Sequence, residues 1–248
     1  MLNTVIIPGI GGHPAFHRSV AATAERFGKV HSWPHGDFCG EPFTSIEQHR
    51  QYWSDLLNRA RLPELVIIAI SFGAHIAIGL PQRLETEALT IVLVSYWPIC
   101  KFERSLLDAM SRLPEAFIAP IIGSSLMAWS GAVMKDRTQL RELRSELYDS
   151  RQKVQRRLRA RLLCLLDNEP AFNGSTIRAK QPLAFLYGNR ELAFCLHHSF
   201  VAEIRHLPNV TVSVVRGGHS ISITPSSPLN SLLTSILEGL DEGPRSTT

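Results

Sequence analysis

The stretch Leu65-Val66-Ile67-Ile68-Ala69-Ile70-Ser71-Phe72-Gly73-Ala74-His75 constrains the fold more than any other in the chain. Six apolar, mostly β-branched residues stop at a serine. A run this short, with no polar alternation, reads as a strand buried on both faces. Residues 74–80 then read as the opening of a helix. A strand that passes into a helix with no intervening loop needs a very tight turn, and the residues flanking that turn must be small. Ala69 stands two residues before Ser71 and Gly73 two after it. Such a turn holds its serine in a strained backbone conformation with the hydroxyl exposed. The pattern A-x-S-x-G departs from the usual G-x-S-x-G by one methyl group. On these five residues alone, an ordinary serine at a strand end is the competing, lesser reading, and the rest of the chain has to discriminate.

Residues 4–9 read as a second buried strand, followed by the glycine-rich Ile10-Gly11-Gly12-His13-Pro14. Phe16, Val20, Ala24 and Phe27 recur at helical spacing over 15–27. A short strand follows over 29–33. Ser45, with Gln48 three residues on, predicts an N-cap for a helix reaching about Arg59. Further strands are expected over 89–95, 183–187 and 210–215. Further helices are expected over 193–205 and 228–240, the last capped by Ser226 or Ser227 with Pro228 in its first turn. Strands alternating with helices imply a mostly parallel, doubly wound sheet of about six strands. Ligands bind such sheets at the carboxyl ends of the strands.

Strand signal vanishes over 101–167. A short helix is expected over 105–112, a broken pair over 117–134 and a long amphipathic helix over 138–166. Leu140, Leu143, Leu147, Val154, Leu158 and Leu162 lie on one face of that last helix. The expected organisation is a core of 1–99 and 168–240, a helical insert of 100–167 and a flexible tail of 241–248. The longest apolar stretch, 116–134, is interrupted by Pro120, Gly123 and Gly131 and by three serines, so no membrane span is expected. Four scattered cysteines without paired spacing, and no leader-like segment after Met1, suggest reduced thiols and a cytoplasmic location. A net charge of +4 is too mild for a general nucleic-acid footprint.

Three residues fall just after three expected strands: Ser71, Glu191 in Gly188-Asn189-Arg190-Glu191, and His219 behind Gly217-Gly218. Serine, acid and histidine in this order, each at a strand end, closely resemble the α/β-hydrolase family. The resemblance runs from about residue 5 to 237. The family has further strands ahead of its counterpart of 4–9, so the sheet is expected to be shorter at that edge. It implies an α/β-hydrolase fold with the 100–167 insert as a lid, and a triad of Ser71, His219 and Glu191. Serine is a weak nucleophile until an imidazole takes its proton, and a carboxylate must hold that imidazole in the right tautomer. Glutamate is a less usual acid here than aspartate, and Asp167 and Asp37 are the rivals for its place. The family's oxyanion donors map to the backbone N–H groups of Ile10 and Phe72, with Pro8-Gly9 standing where the family has His-Gly. Because the donor is an amide, that exchange leaves its function possible. His75, one turn after Ser71, reads as a packing residue. His197-His198 has no third ligand, and no phosphate-binding glycine pattern is complete, so neither a metal nor a cofactor is expected.

The substrate pocket is expected between the sheet edge and the lid, lined by Tyr96, Trp97, Phe117, Ile121, Leu126, Met127 and Trp129. Such a lining suits an acyl chain or another bulky apolar group. Arginines are frequent on the long lid helix. Glu142, Glu146 and Asp149 balance its first half, but Arg151, Lys153, Arg156, Arg157, Arg159 and Arg161 have no acid among them. An unbalanced basic face suits an acidic acyl carrier protein or the phosphates of a pantetheine thioester; a simple solvated face is the plainer account. The expectation is a serine hydrolase of acyl esters or thioesters, including thioesterase and cyclising or acyl-transfer variants. The alternatives are a lyase, isomerase or cyclase on the same fold, or a binding protein without turnover.

Overall fold

A computed structural model of the chain describes residues 1–10, 17–33, 35, 42–86, 89–99, 101–114, 117, 151–167, 181–189, 198–216 and 228–241; over 151–167 the side chains are described from Leu158 onward. The strands are β1 (Leu2–Ile7), β2 (Gly28–His31), β3 (Leu65–Ile70), β4 (Leu89–Val94), β5 (Leu183–Gly188) and β6 (Val210–Val215). They form a six-stranded sheet in the order β2-β1-β3-β4-β5-β6, with every pairing parallel. The described helices are α1 (Arg18–Ala24), α2 (Ile46–Ala60), α3 (Phe72–Ala77), α4 (Lys101–Ser111), α5 (Arg151–Asp167), α6 (His198–Ile204) and α7 (Pro228–Asp241).

The period of two along each strand divides its side chains between two cores. Ile6, Ile68, Val92 and Leu186 pack on one face with Val20 and Ala24 of α1 and Leu229, Leu233 and Leu237 of α7. Val5, Ile7, Ile67, Ile91 and Phe185 pack on the other with Trp53 and Leu57 of α2, Ala74 and Ile76 of α3, and Phe200 of α6. Both faces of β3 are therefore covered, which is why its sequence shows no alternation. Each fully buried valine, leucine, isoleucine or phenylalanine among them contributes about 1.5–3 kcal/mol by leaving water.

Local signals place the helix ends. The Ser45 hydroxyl accepts the Gln48 N–H at 3.2 Å, as expected of an N-cap. The Gln48 side chain reaches back to the Thr44 N–H at 2.7 Å. Several ends differ from the sequence expectation by a few residues, those of β2 and α4 among them. Strand β2 stops at His31 rather than continuing to residue 33. Helix α4 begins at Lys101, a turn before Ser105, because the Ser105 hydroxyl donates back to the Lys101 carbonyl within the helix and does not cap it. The broken pair expected over 117–134, apart from Phe117, lies outside the described residues, as does the lid helix before Arg151. Among the described residues, no helix is long and apolar enough to cross a membrane.

From β1 the chain moves outward to β2, then returns to place β3 on the other side of β1. The connections after β1 and β3 thus leave in opposite directions and open a crevice at their carboxyl ends. Ile10 and Ser71 lie on the two sides of that crevice.

Candidate active site

Ser71 has φ 52° and ψ −113°. This is not the ordinary left-handed helical region, which needs ψ near +45°, and a non-glycine residue held there costs about 1–3 kcal/mol. The surroundings over-determine it. Every residue of β3 before it and of α3 after it is buried. Its N–H donates to the Val94 carbonyl at 2.8 Å, and its carbonyl accepts the Ala74 N–H at 2.9 Å. The turn is also as tight as its small residues imply. A Cβ on Gly73 would lie 2.4 Å from the Ile7 carbonyl oxygen and 2.6 Å from that of Pro8, an overlap with backbone. Gly9 passes the serine so closely that a Cβ there would lie 3.5 Å from Ser71 Cβ. The serine itself remains partly exposed.

The same ladder continues across the carboxyl edge. Ser71 N–H reaches Val94 O, Ser95 N–H reaches Leu186 O at 2.9 Å, and Asn189 N–H reaches Val215 O at 2.8 Å. The ends of β3, β4, β5 and β6 are thereby bonded in sequence along one edge. Glu191 follows β5 and His219 follows β6 in the chain; both lie outside the described residues, as do Asp37, Ile121, Leu126, Met127 and Trp129.

A buried polar cluster that sequence reasoning missed surrounds the Phe72 side chain and anchors the loop at Ile10. The Phe72 ring lies edge-on to the imidazoles of His35, at 6.0 Å, and His49, at 5.1 Å. The Arg161 guanidinium sits 5.9 Å from its centroid. Arg161 also donates to the Ile10 carbonyl, and the Ile10 side chain packs against Leu158 and Leu162 of α5. His35, wholly buried, lies 3.2 Å through Nε2 from the Pro8 carbonyl and 3.3 Å through Nδ1 from Trp53 Nε1. A carbonyl can only accept and an indole N–H can only donate, so the tautomer is settled: Nε2 carries the proton and Nδ1 accepts. Burial first, then the charge of Arg161 and the neighbouring His49, hold the His35 pKa well below the usual histidine range.

Arg161 is thus not part of a solvated basic face of α5; it is 1% exposed. The signal was present in its spacing. Leu158, Arg161, Leu162 and Leu165 form one stripe, on which arginine occupies an apolar position.

The remaining expectations divide. Tyr96 is a core side chain, packed near Phe185 and Phe200 and 5.0 Å from the His75 ring. Burial pushes its phenol pKa up. Trp97 is half-buried and edge-on to His75. Phe117 is exposed, as is Asp167 at the end of α5. His75 packs, as its position suggested, and burial with the nearby Arg50 brings its pKa down to about 3.

No protein-family model matches the sequence, and no curated protein matches it. Solved structures do match its shape. A thermophilic esterase from Thermogutta terrifontis superposes with a TM-score of 0.78 at 12% identity, over 97% of this chain and 91% of that one. The type II thioesterase BorB from the borrelidin biosynthetic cluster gives 0.65 at 15%, over 96% and 92%. An α/β-hydrolase fold protein from Burkholderia ambifaria gives 0.65 at 14%, over 96% and 90%. The chain has the α/β-hydrolase fold.

Proposed function

We propose that the protein is a serine hydrolase of acyl esters or thioesters, with Ser71 as nucleophile, His219 as general base and acid, and Glu191 as the residue that orients His219. The observation that carries this reading is the backbone of Ser71. A non-glycine residue at φ 52°, ψ −113° stands at the carboxyl edge of a central strand, beside the crevice where such sheets bind ligands. Strain of this kind persists where a side chain must be presented. The neighbouring strand ends, from which Glu191 and His219 follow in the chain, and the esterase and thioesterase with the same fold support it further.

In this reading Oγ of Ser71 attacks the acyl carbon while His219 takes its proton. The oxyanion is held by the N–H groups of Ile10 and Phe72. Collapse expels the alcohol or thiol, which receives the proton from His219, and leaves the acyl group on Ser71. Water then repeats the sequence, giving its proton to His219 and releasing the acid. Residues 100–167 serve as the lid, and its apolar residues hold the acyl group.

Ser71→Ala should lower kcat on p-nitrophenyl esters by about 10⁴-fold or more with a melting temperature close to that of the parent, since alanine fits the same turn. Mass spectrometry after treatment with a fluorophosphonate should place the adduct on Ser71. An adduct on a different serine, with activity retained in Ser71→Ala, would overturn the assignment. The thioester preference has one line of support beyond the thioesterase fold neighbour, namely the run of basic residues from Arg151. Acyl thioesters and p-nitrophenyl esters of matched chain length, compared by kcat/KM, test it directly.

A further inference from the structure

Two buried basic side chains from distant parts of the chain grip the loop after β1. His35, in the connection between β2 and α2, donates to the Pro8 carbonyl; Arg161, in α5, donates to the Ile10 carbonyl. Gly9 lies between these two anchors and against Ser71. We propose that His35 and Arg161 are positioning residues that set the aim of the Ile10 N–H, so that the oxyanion site is complete only while α5 is seated on the body of the protein. The inference rests on the hydrolase reading above and adds to it a dependence on the lid.

The physical case has three parts. First, glycine at position 9 gives the backbone between Pro8 and Ile10 a residue with little conformational preference of its own, so the path to Ile10 must be imposed from outside. Second, the contacts that impose it are costly to place. Burying a guanidinium and an imidazole against backbone carbonyls spends desolvation that an apolar side chain would avoid, yet both are fully enclosed. Third, the contacts are directional. Trp53 fixes the proton of His35 on the nitrogen facing Pro8, and Arg161 lies between the Ile10 carbonyl and the Phe72 ring, so it touches both residues proposed to hold the oxyanion. Helix α5 is in turn bound to the body where the Cys164 thiol meets the Phe43 carbonyl at 3.4 Å, and to α4 where Arg104 donates to the Leu166 carbonyl. Displacing α5 would therefore withdraw Arg161 and release Ile10.

The experiment uses the full-length protein with Arg161→Lys, Arg161→Met, His35→Gln and His35→Phe. Glutamine retains an N–H where His35 Nε2 stands and lysine retains the charge, so each conservative variant should recover part of what its apolar counterpart loses. Arg161→Met and His35→Phe should lower kcat about 10- to 100-fold, with KM within about threefold, because a misaimed donor is missed mainly in the transition state. Affinity for an acyl trifluoromethyl ketone, which forms an oxyanion on Ser71, should fall in parallel with kcat. The amide resonance of Ile10 should shift in each variant, a readout that needs no turnover. Wild-type kcat and ketone affinity in both Arg161→Met and His35→Phe would overturn the inference. So would losses that conservative and apolar variants share equally, which would mean simple destabilisation. If wild-type protein takes no adduct on Ser71, the hydrolase reading itself falls; the Ile10 shift would then show only that the loop is held, and the catalytic role is overturned with it.

Discussion

Phe72 follows β3 and Ile10 follows β1, and the chain holds the two amides by different means. Phe72 is the first residue of α3, locked between a fully buried strand and a fully buried helix, and its position is decided by close-packed backbone and apolar side chains contiguous in sequence. Ile10 lies past the end of β1, outside every described helix and strand. It is held from outside by side chains 25 and 151 residues away in the chain, both polar and both buried. Packing of the first kind is rigid and tolerates no added atom. Anchoring of the second kind leaves a site that a distant element can complete or release.

The sharpest way to break the packed side is Gly73→Ala. The new methyl would meet the carbonyl oxygens of Ile7 and Pro8 at 2.4 and 2.6 Å, and neither is the end of a flexible side chain. We expect a loss of about 3 kcal/mol in urea denaturation. Activity should fall with it, since the same methyl pushes on the loop that carries Ile10. A stability loss near zero would mean that the elbow is looser than its geometry indicates.

This contrast also explains what was legible in the sequence. The elbow could be read because its causes are local: a β-branched run, a serine, and small residues at fixed offsets. The parallel sheet followed from strand-helix alternation, and the Ser45 cap from four consecutive residues. The grip on Ile10 could not be read in the same way. Nothing near Pro8 or Ile10 names His35 or Arg161, because the residues meet only once β1, β2 and α5 are assembled. Sequence reasoning instead groups Arg161 with the other arginines of its run. Its place on the Leu158–Leu162–Leu165 stripe was the available hint, but an arginine on a helix is so often solvated that composition outweighs position. Tyr96 shows a related limit. A residue just after a strand can face the crevice or the core, and here the aromatic partners Phe185 and Phe200, distant in sequence, decide for the core.

Buried histidines on both sides should also make stability respond to acid. His75 lies under the elbow, faced by Arg50, Tyr96 and Trp97 and influenced by Glu103, and its pKa in the folded protein is about 3 against 6.5 for an exposed histidine. The unfolded chain therefore binds more protons between these values. Stability from this group is fully present above about pH 6.5 and is lost as pH falls toward 3, at about 1.4 kcal/mol per pH unit. His35 acts in the same direction from the loop side. Urea midpoints measured from pH 7 to pH 4 should fall less steeply in His75→Phe than in the parent. Equal slopes would show that His75 is accommodated in its charged form and does not titrate below the ordinary range.

The smallest expected effect concerns the other basic residues of α5. With Arg161 turned inward, the basic face proposed for an acidic acyl carrier protein is reduced to Arg151, Lys153, Arg156, Arg157 and Arg159. Charges at a rim act mainly on encounter and are screened over about 10 Å at 0.1 M salt. Reversing Arg156 and Arg157 to glutamate should therefore lower kcat/KM for a carrier-bound acyl group by about tenfold at low salt, with little change at high salt. The rate on a small free ester should stay near the parent value, since such a substrate needs no docking face. That separation is the point of the test. If the free ester slows as well, Arg156 and Arg157 hold α5 in place and belong with Arg161 in completing the site. If neither substrate is affected, the face is solvated and the preference for a carrier-bound thioester loses its support in the sequence, while the roles of Ser71 and Arg161 stand on their own experiments.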